Sequence, residues 1–100
     1  MKSIRERALK GEILSGTWLI TGSSVCAEIA GQAGFDWAVC DLEHGMGHLD
    51  SLLHQLQALD STPCCPVVRV AWNEHWMIKR VLDMGACGVM IPYVNDAREA

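Results

Sequence analysis

The chain is 100 residues long, half of its residues are hydrophobic, and its formal net charge is -4. This length allows one domain at most, and the apolar content is sufficient for a packed core, so extensive disorder is not expected. An acidic chain without a basic stripe is a poor partner for nucleic acid. Its longest apolar runs are far below the roughly 20 residues that a membrane-spanning helix requires. We therefore expect a globular protein that binds neither nucleic acid nor membrane.

The first residues and the cysteines bear on the cellular compartment. Residues 2–7, KSIRER, are charged and lack the apolar stretch of a signal peptide. The five cysteines are odd in number and mostly lie inside apolar runs, which favours buried thiols over a disulfide framework. Adjacent Cys64 and Cys65 lack the Cys-x-x-Cys spacing that is typical of metal sites. We therefore expect a cytoplasmic protein.

Apolar periodicity and turn residues predict helices and strands in alternation. Ser23 or Ser24 is a natural N-cap, Asn73 is another, and Gly85 stands where a left-handed C-cap belongs. The predicted helices cover residues 3–10, 25–33, 49–59 and 73–84. The predicted strands cover residues 13–20, 37–40, 66–70 and 88–92.

The spacing of these strands predicts an α/β fold. Successive strands lie roughly 20 to 30 residues apart with a helix in each gap, which is the pattern of βαβ crossovers in a parallel sheet. Residues 95–100 read as the start of a further helix, and an all-parallel sheet of four strands would leave an edge uncovered. We therefore expect residues 1–100 to be the N-terminal fragment of a single (β/α)8 barrel, a fold of about 250 residues, with about four β/α units present.

The stretch FDWAVCDLEHGMG is the most informative part of the chain. Its apolar half lacks alternation, which favours a strand buried on both faces. Asp41, Glu43 and His44 follow where this strand ends, and functional groups of parallel sheets gather at such ends. We expect Gly45 and Gly47 to turn the backbone through conformations closed to other residues. The stretch therefore predicts part of an active site.

The other predicted strands also end in groups that can do chemistry. His44 can transfer a proton at neutral pH, and the permanent charge of Arg69 can stabilise a carboxylate or a developing enolate. Together they favour proton abstraction next to a carbonyl. An alternative remains open, in which Asp41 and Arg69 form a structural ion pair and His44 is an ordinary loop residue. The strand ends carry Trp18 and Thr21, then Asp41, Glu43 and His44, then Arg69 and Asn73, and finally Tyr93 and Asn95.

Five segments carry a resemblance to a known family. They are GTW at residues 16–18, AGFDWAVCDLEHG at 33–45, PVVRV at 66–70, IKRVLDMGA at 78–86 and VMIPYV at 89–94. In this order and spacing they resemble the HpcH/HpaI aldolase family, the metal-dependent class II pyruvate aldolases. The resemblance covers nearly the whole chain and rests on the set of segments together.

This resemblance implies a (β/α)8 barrel enzyme that cleaves or forms 4-hydroxy-2-oxo acids. Its small-molecule partners would be a 2-oxo acid, pyruvate, and an aldehyde. By resemblance, His44 is the acid/base residue and Arg69 stabilises the enolate. Asp83 matches an aspartate that raises the basicity of the histidine. Trp18 and Asp41 match positions at the border of the substrate pocket.

The resemblance also implies a cofactor and an assembly. The metal would be a divalent ion, Mg²⁺ or Mn²⁺ with Co²⁺ and Zn²⁺ as further candidates, and its ligands are expected beyond residue 100. We therefore expect no metal ligand within this chain, and we expect the fragment alone to be inactive. The family is often hexameric, so a homo-oligomer is expected.

Asp83 conflicts with a site confined to one subunit, because the helix that carries it returns to the amino end of the sheet. Either a neighbouring subunit supplies it, or it is a polar residue at a helix end. Two other functions stay open for the chain. One is a non-catalytic half-barrel that acts only through self-association, and the other is an acyl-CoA lyase of a related pyruvate or phosphoenolpyruvate barrel.

Overall fold

The computed structural model describes residues 3–100, and helices and strands alternate through them. None of the helices in this range is long and apolar enough to cross a membrane. The order predicted from the sequence is confirmed, and the differences lie at the ends of elements. The elements are α1 Arg5–Leu9, β1 Gly16–Leu19, α2 Ser24–Gln32, β2 Trp37–Asp41, α3 Leu49–Asp60, β3 Cys65–Arg69, α4 His75–Asp83 and β4 Gly88–Met90.

The four strands form one parallel sheet in the order β1-β2-β3-β4. Each pair of neighbouring strands is connected through a helix, so the predicted α/β fold is confirmed. The register places Asp41 beside Arg69, and Arg69 beside Met90. Since side chains alternate along a strand, these three residues belong to the same face of the sheet.

Helices α2, α3 and α4 cover only the other face of the sheet. Strand residues of that face, among them Leu19, Ala38, Cys40 and Val68, form the core together with the apolar sides of the helices. Val39 is also buried, but it does not belong to this cluster because it points to the opposite face with Asp41. The face that carries Asp41 and Arg69, which we call the inner face, is therefore the face without helices.

Strand β1 begins at Gly16, three residues later than predicted, and the side chain of Ile13 is 98% exposed. Ser15 explains the difference, because its amide group binds the Asp36 side chain at 2.9 Å instead of entering the ladder. Arg7 from α1 contacts the same carboxylate at 2.8 Å. Regular pairing with β2 starts at the next residue.

The predicted helix ends are partly confirmed. Ser23 is the N-cap of α2, and its hydroxyl accepts the amide hydrogen of Cys26 at 3.3 Å. Gly85 follows α4 with a φ of 111°, as predicted. The prediction that Asn73 caps α4 is wrong, because its side chain donates to the carbonyl of Glu99 at 2.6 Å and the N-cap is the next residue.

The cysteines are thiols, as predicted, and all five lie in the described residues. Cys40, Cys64 and Cys65 are buried at the strands. Burial raises the pKa of Cys40 to about 12 and that of Cys65 to about 11. These two side chains are therefore protonated near neutral pH and serve as packing groups.

Candidate active site

Asp41 and Arg69 meet at the carboxyl end of the sheet, on the inner face. Arg69 Nε donates to Asp41 Oδ1 at 3.0 Å, and Nη2 donates to Oδ2 at 2.7 Å. Asp41 is 3% exposed, whereas the Arg69 side chain is 22% exposed. The hydrogen bonds to Asp41 raise the pKa of Arg69 above its ordinary value, so the guanidinium is a fixed and permanent positive charge.

Asp41 also holds the loop that follows β2. Its Oδ1 accepts the backbone amide hydrogens of Glu43 at 3.0 Å and His44 at 3.2 Å. The hydrogen bonds from Arg69, helped by those from the loop, lower the pKa of Asp41 to about 2. Asp41 therefore stays ionised at any physiological pH, and its part in the site is to position Arg69 and the loop.

His44 lies in this loop with its side chain 68% exposed. The loop is fastened to the end of β1, where the amide of Met46 donates to the carbonyl of Ile20 at 2.7 Å. The expectation that Gly45 and Gly47 need unusual backbone angles is wrong, because neither has a positive φ. Gly45 is needed for space instead, since a Cβ there would overlap the carbonyl oxygen of Asp41.

The sequence names Glu43 only as one of the groups at the end of β2, without a specific role, and the structure places it between Arg69 and His44. Its side chain is 9% exposed, and its Oε1 lies 3.3 Å from Arg69 Nε and 3.4 Å from His44 Nε2. The signal in the sequence was its position at a strand end, but its contact with Arg69 depends on how the loop folds back.

Trp18 from β1 completes one side of the site. The guanidinium carbon of Arg69 lies 4.6 Å from the centroid of its ring, the distance of a cation–π contact. Trp18 is 42% exposed. Met90 is next to Arg69 on the other side and is 39% exposed, and only the register of β3 and β4 reveals this position.

Asp83 is not part of this group within the described chain. It is the last residue of α4, is exposed, and lies at the amino end of the sheet because α4 ends just before β4 begins. His44 and Arg69 lie at the carboxyl end. Around Asp83, the side chains of Trp76, Lys79 and Arg80 line a shallow surface cavity.

The residues of this site do not form a metal site by themselves. Within residues 3–100, no three or more His, Cys, Asp or Glu side chains are grouped so that they could hold a metal ion. Both carboxylate oxygens of Asp41 are engaged by Arg69, and Glu43 Oε1 faces the same guanidinium. The donor set present here therefore does not fit a divalent cation.

The structure contains both features of the structural alternative, the Asp41–Arg69 pair and a loop position for His44. It also contains features that a purely structural pair does not need. Arg69 stays partly exposed, an aromatic ring lies over it, and a buried carboxylate connects it with the histidine. Such a constellation at the carboxyl end of a parallel sheet is typical of an active site.

Comparison with known proteins identifies the class to which this fold and site belong. The family model described as HpcH/HpaI aldolase/citrate lyase matches residues 14–100. The chain therefore belongs to this family, as the sequence segments predicted.

Individual relatives agree with this assignment. A hydroxypyruvate/pyruvate aldolase of Agrobacterium fabrum is 52% identical over 85% of this chain and 32% of its own length. A 4-hydroxy-2-oxo-heptane-1,7-dioate aldolase of Salmonella dublin is 45% identical over 100% of this chain and 38% of its own length. The crystal structure of a family member from Burkholderia cenocepacia superposes with a TM-score of 0.92 and 36% identity, over 99% of this chain and 40% of that one. The chain thus spans about a third to two-fifths of the length of these relatives.

Proposed function

We propose that the whole protein is an aldolase that cleaves 4-hydroxy-2-oxo acids to pyruvate and an aldehyde through a pyruvate enolate. In this proposal residues 1–100 are the N-terminal part of its (β/α)8 barrel, and they are inactive alone. The relatives named above are aldolases, and this chain covers 32% and 38% of their lengths. The observation that carries the proposal is the fixed, partly exposed guanidinium of Arg69, which lies with His44 at the carboxyl end of the sheet.

Arg69 supplies the charge that this chemistry requires. Enolate formation places negative charge on the oxygen of the 2-oxo group, and a guanidinium already oriented by Asp41 stabilises that charge without reorganising. Trp18 packs on Arg69 and limits its movement on one side. We assign the substrate-binding border of the site to Trp18 and Asp41.

His44 moves the proton. Its imidazole takes a proton from the methyl carbon of pyruvate, and the electrons of that C–H bond form the carbon–carbon double bond of the enolate. In the cleavage direction His44 takes the proton of the 4-hydroxyl group as the C3–C4 bond breaks, and this proton then bonds to C3 of the enolate, which becomes the methyl carbon of pyruvate. The exposed position of the ring leaves it accessible to a substrate.

The cofactor, the assembly and the compartment complete the proposal. A divalent ion, Mg²⁺ or Mn²⁺ with Co²⁺ or Zn²⁺ as alternatives, would need ligands from other strands of the barrel, because the donors described here do not fit it. We propose a homo-oligomer in which a neighbouring subunit brings Asp83 to His44. The thiol state of the cysteines supports a cytoplasmic location.

The test is proton exchange in the full-length protein. Deuterium incorporation into the methyl group of pyruvate, followed by NMR with and without Mn²⁺, measures enolate formation directly. His44→Ala is expected to slow this exchange at least 100-fold, the usual contribution of a general base. His75→Ala is the matched control because His75 is an exposed histidine at the start of α4. Unchanged exchange in His44→Ala would remove His44 from the mechanism.

A second candidate is a lyase that acts on an acyl-CoA ester. The family description, which includes citrate lyase, favours keeping this candidate. It would use the same guanidinium to hold a carboxylate. Incubation with acyl-CoA esters and mass spectrometry of the thioester products separates it from the aldolase, which leaves such esters intact.

A further inference from the structure

Glu43 occupies an unusual position for a carboxylate. Its side chain is 9% exposed although it belongs to a loop, and acidic side chains are seldom buried unless they are paired. Its backbone amide is held by Asp41 at 3.0 Å, so the main chain at this residue is fixed to the end of β2. One oxygen, Oε1, contacts both Arg69 Nε and His44 Nε2, at 3.3 and 3.4 Å. The acid/base residue and the enolate-binding residue thus meet at a single atom.

The charges around this atom are unequal. Asp41 and Glu43 bring two negative charges, and Arg69 brings one positive charge. Asp41 takes both hydrogen bonds from the guanidinium, so Glu43 has only the longer contact with Nε. A proton that arrives on His44 gives Glu43 a second positive partner, and the four side chains together then become neutral.

The contacts also fix the direction of the imidazole. His44 contacts Glu43 Oε1 through Nε2, so Nε2 is the ring nitrogen that faces the carboxylate. The other ring nitrogen, Nδ1, is then directed away from the contact with Glu43. Distances slightly beyond hydrogen-bond length are usual for catalytic pairs in the absence of substrate.

We propose that Glu43 is a positioning residue that holds His44 through Nε2, leaves Nδ1 as the basic nitrogen, and stabilises the imidazolium formed during the reaction. This inference rests on the proposed enolate chemistry. Nε2 carries the hydrogen that faces the Glu43 carboxylate, so the proton that leaves the methyl carbon of the 2-oxo acid bonds to Nδ1. The C–H electron pair forms the C2–C3 double bond, and the negative charge appears on the 2-oxygen beside Arg69. In this role Glu43 contacts neither the substrate nor the transferred proton, and it acts through His44.

The test uses Glu43→Gln in the full-length, metal-loaded protein, because this change removes the charge and keeps the shape. We expect the kcat of pyruvate proton exchange to fall roughly 10- to 100-fold, the range of groups that orient a reacting side chain, while the KM for pyruvate changes less than about threefold. Glu43→Asp is expected to recover part of the lost kcat. Glu28→Gln is the matched control, since Glu28 is exposed on α2.

Two further measurements show whether Glu43 acts through His44. In a His44→Ala background, Glu43→Gln should cause no additional loss, because coupled groups are not additive. The ¹⁵N resonance of His44 Nε2 in the free protein should shift in Glu43→Gln, while the ring resonances of His75 should not. A full additional loss in the double variant, or a rise in KM at unchanged kcat, would overturn the proposal.

The result also separates this inference from the proposed function. If the wild-type protein shows no pyruvate exchange with metal, the proposed function fails, and the NMR comparison still reports on the Glu43–His44 contact. If the wild type exchanges protons and Glu43→Gln matches it within about twofold in kcat with an unmoved Nε2 resonance, the positioning role is refuted and the proposed function stands.

Discussion

At the scale of single residues, Asp41 determines the geometry of the site. One of its oxygens accepts from Arg69 Nη2, and the other accepts from Arg69 Nε and from the amides of Glu43 and His44. The same carboxylate therefore fixes the guanidinium and the loop that carries the imidazole. Because it is nearly completely buried, this carboxylate depends on these partners for the hydrogen bonds that water would otherwise supply.

Asp41→Asn tests this role through stability. The pKa of Asp41 is lowered from 3.8 to about 2, which corresponds to about 2 kcal/mol of folding free energy at neutral pH. A lowered pKa stabilises the fold above the unfolded value, so this contribution is lost as the pH falls from about 4 to about 2. Urea unfolding of the full-length protein should show a difference of about 2 kcal/mol at pH 7 that vanishes near pH 2.

The control for this experiment is Glu28→Gln, which removes a negative charge from the exposed surface of α2. It should leave the free energy of unfolding nearly unchanged at both pH values. A difference between wild type and Asp41→Asn that stays constant down to pH 2 would show that the lost stability does not come from the charge of Asp41.

At the scale of elements, the loop between β2 and α3 turns a strand end into a site. Its shape depends on close packing, because Gly45 lies against the main chain of Asp41 and Met46 is bonded to the end of β1. His48 continues this loop into α3, where its amide binds the Ser51 hydroxyl at 2.8 Å. The loop is therefore fixed at its beginning, middle and end.

Gly45→Ala should displace this loop. The added Cβ would overlap the carbonyl oxygen of Asp41, so backbone must move at a cost of about 1 to 3 kcal/mol. Proton exchange into pyruvate should fall at least tenfold, because small misplacements of a reacting group are costly. Gly88→Ala is the control, since a Cβ there meets Val67 at an ordinary 3.4 Å. Full activity and stability of Gly45→Ala would show that the loop has another conformation available.

At the scale of the whole molecule, the sheet separates two groups that the family resemblance connects. His44 and Arg69 lie at the carboxyl end of the sheet, and Asp83 lies at the amino end. A helix that connects two parallel strands starts at the carboxyl end of the sheet and must finish at its amino end. No rearrangement within this fold therefore brings Asp83 to His44. Only a second subunit can unite them.

Mixing of two variants tests this arrangement. His44→Ala and Asp83→Ala are each expected to lose most of their activity in pyruvate proton exchange. Hybrid oligomers made by co-expression should regain part of it, because some interfaces then combine an intact His44 with an intact Asp83. Hybrids that stay as inactive as the parents would leave Asp83 as a polar residue at a helix end. Co-expression of His44→Ala with the His44→Ala/Asp83→Ala double variant is the control for non-specific rescue, because no subunit then carries an intact His44.

The sequence by itself determined the parts of this protein that depend on local physics. Apolar periodicity and turn residues gave the alternation of helices and strands, since both act over a few neighbouring residues. Ser23 and Gly85 were identified correctly because caps are recognised by side-chain chemistry and by a positive φ. The predicted strand ends placed Asp41 and Arg69 at the same end of the sheet, because all strands of a parallel sheet run in the same direction.

Only the tertiary structure decided how these residues meet. Three features of the site depend on strand register and on the path of a loop, which bring together positions far apart in the chain. They are the packing of Trp18 on Arg69, the position of Met90 beside Arg69, and the position of Glu43 between Arg69 and His44. Gly45 and Asn73 were misinterpreted for the same reason. The first is required by a close backbone approach, and the second is bound to Glu99, a residue 26 positions away. Local patterns contain no information about such partners, because hydrogen bonds and packing between distant residues exist only once the chain has folded.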